Sequence, residues 1–241
     1  MPFDFEVEDG LNFGDWLHRE IHANALVESH GWAAEQVRRV SARLQAGRPE
    51  SERLIVEVPW LREANAFTAP GRYVYFSRRL LERCPREEAV AFVIAHEIAH
   101  HDLGHLDLFS GWAGRLSRLA GARLMALPFQ ALERRLYGSE RECAADRHGL
   151  ALCIAAGYHP MRCLGLYDVL EHFALDAKDF EMVYGLDPES DEELSGEAPW
   201  TTRARIWAWQ RSRGYLPIQD RKAALVRWLE ANAGFRGSPA G

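Results

Sequence analysis

Cysteine is rare in this chain, and the few cysteines are widely spaced. Four occur among 241 residues, without the close paired spacing that a disulfide framework or a zinc knuckle uses. A chain of this length buries roughly 70 to 75% of its extended surface, so its fold does not need crosslinks. We therefore predict free thiols in a reducing compartment for these residues, which are Cys84, Cys143, Cys153 and Cys163.

Long apolar runs and a basic stripe are also missing. No stretch of about 18 apolar residues occurs, which predicts that no segment spans a membrane. The first ten residues are acidic and lack the basic and apolar parts of a signal peptide, so the expected location is the cytoplasm. The formal net charge is −6, with 29 basic and 35 acidic residues, which argues against a general nucleic-acid-binding protein.

The most informative segment is the pentapeptide HEIAH at residues 96–100. Residues four apart lie on one face of a helix, so His96 and His100 can bind one metal ion from the same side. Glu97 is placed to reach a water molecule on that ion. The preceding residues 89–95 are apolar on all sides, which is typical of a buried helix. Because His and Glu are costly in such surroundings without partners, the pattern favours a zinc site.

A catalytic zinc usually has three protein ligands and one open position, so the two histidines need a third partner. Astacin-like and matrix-type proteases take it from HExxHxxGxxH, but Gly104 and His105 are each one residue out of that register. A better candidate is Glu142, which a second helix could supply from the segment ERECAADR. Asp146 shares its helix face and could hydrogen-bond the free ring nitrogen of a liganding histidine. Viewed alone, a glutamate on a helix is more often a solvated side chain.

Three ordered motifs together resemble peptidase family M48, the zinc metallopeptidases of the HtpX and CAAX prenyl endopeptidase type. They are NAF at 65–67, HEIAH at 96–100 and ERECAADR at 140–147. The resemblance spans about residues 54–170 and includes AGYHP at 156–160, where relatives often carry AGYDP. Three motifs in this order are far more specific than HExxH alone.

The resemblance implies a role for each motif residue. One zinc ion per chain would be held by His96, His100 and Glu142, with Glu97 as the general base. Asp146 would orient a zinc ligand from behind. The residues expected to border an edge strand along which the peptide substrate lies are Asn65, Ala66 and Phe67.

The chain departs from this family in two places. Relatives often carry a His-Pro pair before an Arg-Ile pair near the carboxy-terminal end, whereas this chain has Ala198-Pro199 and then Arg205-Ile206, one residue later than usual. The oxyanion-stabilising residue is therefore open, with Arg205 as the first candidate, Arg203 as the second and a surface ion pair as the alternative for either. The transmembrane helices of membrane-embedded relatives are missing too, which favours a soluble or membrane-surface branch.

The expected fold class is α+β, mostly helical, with a zincin-like metallopeptidase domain whose small sheet lies beside the HEIAH helix. We expect a single domain over 1–241, with its core at 50–210, a largely helical segment at 14–46 and an acidic loop at 186–199. Strands are expected at 54–58 and 73–77. Further helices are expected at 78–83, 86–107, 139–156, 160–173, 202–213 and 219–232.

The structural role of two segments can be interpreted in two ways each. Residues 106–137, rich in leucine and arginine, form either a helix on an anionic membrane surface or an amphipathic hairpin packed on the core and broken near Pro128. The first interpretation would make the protein peripheral to a membrane. The acidic loop at 186–199 either covers the cleft or is a solvated linker.

These patterns predict a zinc-dependent endopeptidase that acts on unfolded or membrane-associated polypeptides, with Glu97 as general base. Two alternatives are a non-catalytic zinc-binding adaptor that retains the fold and a metal-free helical interaction domain in which HEIAH is accidental. The intact Glu97 argues against the adaptor, because a structural zinc site normally has a closed ligand shell and no use for a base.

Overall fold

A computed structural model of the chain describes residues 10–61, 64–84, 86–106, 129–175 and 217–232. Within these ranges, helices both precede and follow the strands of a small sheet. They are α1 (Gly10–Asn24), β1 (Val27–Glu28), α2 (Trp32–Leu44), β2 (Ile55–Pro59), β3 (Ala66–Ala69), β4 (Tyr73–Phe76), α3 (Arg78–Leu81), α4 (Glu87–Asp102), α5 (Phe129–Ala155), α6 (Pro160–Cys163), α7 (Leu166–Leu175) and α8 (Ile218–Asn232).

The four strands form one mixed sheet in the order β1, β2, β4, β3. Strands β2 and β4 run parallel, and β3 runs antiparallel to β4. The register pairs Glu57 of β2 with Tyr75 of β4, and Tyr75 with Phe67 of β3. Because cross-strand partners share a face and neighbours along a strand do not, these three side chains lie on one face of the sheet.

The two faces of the sheet are covered by different helices. On one face, the ring of His18 in α1 lies against Tyr75. On the other face, His101 near the end of α4 contacts the Thr68 hydroxyl of β3. Helix α1 lies so close to the β3–β4 turn that a Cβ at Gly14 would come within 1.7 Å of a backbone oxygen. Glycine is therefore required where α1 meets the sheet.

Helix α4 forms the centre of the core. Its residues 89–95 are all buried, which accounts for a sequence that is apolar on every side. Helix α5 crosses it at Gly149, where an added Cβ would lie 2.9 Å from the backbone nitrogen of His96. This close crossing brings the carboxylates of α5 to the histidines of α4.

The mixed fold of mostly helices with a small sheet is confirmed, and several expected boundaries are corrected. The segment 14–46, expected to be largely helical, contains most of α1 and all of α2, with the short strand β1 between them. The expected helix 160–173 is divided at Gly165, whose nitrogen bonds back to the Arg162 carbonyl in a turn. Helix α5 begins ten residues before the expected 139. Strand β3, at the end of the described sheet, includes Ala66 and Phe67, two of the residues expected to border an edge strand.

Other expectations concern segments that lie outside the described residues. Residues 107–128 of the apolar and basic segment, the acidic loop at 186–199 and the expected helix at 202–213 lie outside the described residues. Among the helices that are described, none has the length and apolar character needed to cross a membrane.

Candidate metal centre

Three potential metal ligands converge between α4 and α5. The Nε2 atoms of His96 and His100 are 3.1 Å apart. The two carboxylate oxygens of Glu142 lie 3.5 Å from them, Oε2 from His96 and Oε1 from His100. In a tetrahedral zinc site with bonds of about 2.0 to 2.1 Å, ligand atoms are roughly 3.3 Å apart. The donor set and its spacing therefore fit a zinc ion.

Helical periodicity explains this convergence. His96 and His100 are one turn apart on α4, so both rings leave the helix on the same side. On α5, Glu142 lies two turns and Asp146 one turn before Gly149, the residue at which the two helices touch. The missing side chain of Gly149 lets α5 approach closely enough for both carboxylates to reach α4.

The ion pair between Asp146 and Arg221 holds the ring of His96 at Nδ1, on the side away from the other ligands. Its Nδ1 atom lies 3.0 Å from Oδ1 of Asp146. Arg221 of α8 donates two hydrogen bonds of 2.7 Å to the same carboxylate, and its Nη2 lies 3.2 Å from Oε2 of Glu142. A carboxylate on Nδ1 selects the tautomer that leaves Nε2 available for a metal.

These contacts also set the charges of the site. Burial disfavours the charged form of His96, but its hydrogen bonds to Asp146 and Glu142 outweigh this and raise its pKa to about 10. Burial likewise opposes ionisation of Glu142, but the His96 hydrogen bond and the Arg221 charge lower its pKa to about 2. A cation is thus strongly favoured between the carboxylates, and a metal bound at His96 would take the place of a proton.

The ring of His100 is held by another histidine. Gly104 has a φ of +66°, in the left-handed region, and turns the chain back at the end of α4. The nitrogen of His105 then donates to the carbonyl oxygen of His100 at 3.0 Å, and the Nδ1 atoms of the two rings lie 2.9 Å apart. Burial, with the nearby charge of His96, lowers the pKa of His100 to about 2 and keeps it neutral. His105 therefore orients the ring of His100, one of the three candidate ligands.

A cleft of about 180 Å³ opens beside the ligands. It is lined by Glu97 of α4, by Ala66 of β3 and Asn65 just before it, and by Tyr167 and Arg221. Glu97 is 7% exposed. Burial is the main reason that its pKa rises to about 7, which is suited to a group that exchanges protons near neutral pH.

The structure separates the expected substrate-binding residues. Asn65 and Ala66 line the cleft, but the ring of Phe67 lies on the other face of the sheet, 5.0 Å from that of Tyr75. Arg205 and Arg203 lie outside the described residues. The cation that lines the cleft, Arg221, was not anticipated, because no local motif marks it and its place depends on the packing of α8.

One comparison with known proteins gives a family. A model of peptidase family M48 matches residues 28–194, which is more than half of the chain. The matched region contains His96, Glu97, His100 and Glu142 and ends before Arg221. A search of curated proteins found no match.

Proposed function

The chain belongs to peptidase family M48, and from this premise we propose that it is a zinc-dependent endopeptidase with His96, His100 and Glu142 as zinc ligands. The observation that carries the proposal is the convergence of these three ligands with the Glu97 carboxylate in one cleft. Zinc at this position would polarise the scissile carbonyl and lower the pKa of water towards about 7.

Glu97 is the proposed general base. It takes a proton from the water that attacks the peptide carbonyl and delivers a proton to the departing amine. Its buried position supports this role, because a carboxylate with a pKa of about 7 can both accept and return a proton. A purely structural zinc site would not need such a group.

The remaining charged groups of the site act on the ligands. Asp146, fixed by Arg221, holds the ring of His96, and His105 holds the ring of His100. Partners of this kind are typically worth 10- to 100-fold in metal affinity or activity. They keep both Nε2 atoms directed at the same point as substrate enters and product leaves.

An extended polypeptide is the proposed substrate. The carbonyl oxygen of Asn65 accepts a hydrogen bond of 2.8 Å from the Ser77 nitrogen, so the main chain of Asn65 faces β4. Main-chain groups alternate in direction along a strand, so those of Ala66 point away from β4, at the cleft. A peptide paired there would be bound mainly through its backbone, with little side-chain selectivity.

Arg205 is still the proposed oxyanion donor. Arg221 is a poorer candidate, because its guanidinium already forms ion pairs with Asp146 and Glu142. A donor engaged in this way would have to break a buried ion pair before it could bind the oxyanion.

The proposal is tested by replacing Glu97 with glutamine. Glu97→Gln should retain zinc, because all three ligands remain, and should lose nearly all cleavage of an unfolded protein such as casein. Zinc content by atomic emission and fragment yield by mass spectrometry give the two measurements. Glu140→Gln is the matched control, since Glu140 is exposed on α5, and should match the wild type.

The outcomes separate the alternatives. Comparable casein cleavage by Glu97→Gln and the wild type would exclude Glu97 as the base. A wild-type protein that holds zinc but cleaves nothing would favour the non-catalytic adaptor. A wild type that holds no zinc would favour the metal-free interaction domain.

A further inference from the structure

A second group of metal-ligating side chains lies on the face of the sheet opposite α4. His18 and His22 are one turn apart on α1, and Glu57 is on β2. One ligand atom from each residue lies within 4.8 Å of the others. Oε2 of Glu57 is 2.9 Å from Nε2 of His22 and 3.6 Å from Nδ1 of His18. The first distance is slightly shorter and the second slightly longer than the roughly 3.3 Å expected between ligand atoms of a tetrahedral zinc site.

The fold holds this cluster in place through regular elements. The ring of His18 stacks on that of Tyr73, with centroids 4.1 Å apart and an angle of 13° between the planes. Glu57 is fixed by its register opposite Tyr75. The close approach at Gly14 sets the height of α1 above the strands. The three side chains are therefore positioned by helix-to-sheet packing.

The chemistry of the cluster is that of a zinc site. Two imidazoles spaced four residues apart and one carboxylate are a donor set that zinc uses in proteins. The side chains of His18, His22 and Glu57 are 25%, 43% and 19% exposed, so an ion can reach them from solvent. The Tyr75 hydroxyl lies 3.1 Å from Nδ1 of His18. Zinc bound at Nδ1 would replace this hydrogen bond.

We propose that His18, His22 and Glu57 form a second zinc site that fastens α1 to the outer face of the sheet. Three protein ligands leave a coordination position to water, and the exposure of His22 makes the ion exchangeable. This second site is linked to β3, the strand proposed to pair with substrate, through Tyr75. The Tyr75 hydroxyl contacts His18, and its ring packs against Phe67 of β3. Zinc here stabilises the edge of the cleft without taking part in hydrolysis.

The test is a zinc titration of the full-length chain after removal of bound metal. By equilibrium dialysis, the wild type should bind about two zinc ions and His22→Ala about one. Glu57→Gln, which removes the charge and keeps the size, should weaken this second equivalent at least about tenfold. His30→Ala removes an exposed histidine outside the cluster and should bind as the wild type does.

Glu142→Ala separates this proposal from the proposed function. That variant should lose the catalytic equivalent and keep the one that depends on His22. If the catalytic assignment fails and the second site exists, the wild type binds one ion that His22→Ala loses and Glu142→Ala keeps. Equal zinc binding by His22→Ala and the wild type overturns the second site, and so does an equal loss in His30→Ala.

Discussion

Replacing Gly149 by alanine should weaken metal binding without changing a ligand. The added Cβ would lie 2.9 Å from the backbone nitrogen of His96 and 3.0 Å from its Cα. Normal contacts need about 3.5 Å, so α5 would have to move away from α4 by about half an ångström. The clashing atoms belong to a helix backbone, which cannot rotate aside as a flexible side chain can.

The effect on folding and the effect on metal binding should differ in size. Overpacking costs about 1 to 3 kcal/mol, and alanine recovers about 1 kcal/mol of helix propensity relative to glycine. The free energy of unfolding should therefore fall by no more than about 2 kcal/mol. Zinc-to-ligand distances tolerate only about 0.2 Å, and α5 carries Glu142 and Asp146. We expect zinc affinity to fall at least about tenfold.

A competition titration against a chelator of known affinity measures this change. Gly47→Ala is the matched control, since an added Cβ there has no heavy atom within 4 Å, and its zinc affinity should equal that of the wild type. Chemical denaturation of both variants separates lost affinity from lost folding. Unchanged zinc affinity in Gly149→Ala would refute the claim that the contact between α4 and α5 sets the ligand geometry.

Two further predictions concern the charges and the thiols. Arg221→Met removes one of the two cationic groups beside Asp146 and Glu142 and leaves the protonated His96 ring as the other. Breaking a buried pair in this way costs at most about 3 to 5 kcal/mol. Denaturation of the metal-free protein measures this loss, and an unchanged midpoint would contradict it. Native protein should react slowly with a thiol reagent at pH 8, because burial raises the pKa of Cys84 to about 12 and that of Cys153 well above its usual range. Cys84 and Cys153 should react after unfolding, and rapid reaction of either one in the native state would contradict this prediction.

The parts of the site that lie within single helices could be predicted from the sequence. The spacing of His96 and His100 fixes their relative position wherever α4 packs, and the same holds for Glu142 and Asp146 on α5. That the two pairs meet was inferred from a resemblance. The observed geometry adds a physical reason for it, which is the close crossing at Gly149.

The groups that depend on tertiary packing could not be predicted in this way. Arg221 reaches Asp146 across 75 positions of the sequence, and no local pattern marks it. The left-handed conformation of Gly104 lets His105 fold back onto His100. The sequence spacing of His105 only excluded it as a metal ligand and did not predict this contact. Phe67 follows Ala66 directly, but strand alternation turns its side chain to the opposite face of the sheet.

The central claim is that a zinc ion lies between α4 and α5. Anomalous diffraction from zinc-loaded crystals, recorded on both sides of the zinc absorption edge, locates such an ion directly. We predict a peak within about 2.0 to 2.2 Å of His96 Nε2, His100 Nε2 and a Glu142 oxygen. Zinc-loaded crystals without a peak between these three side chains would contradict the assignment.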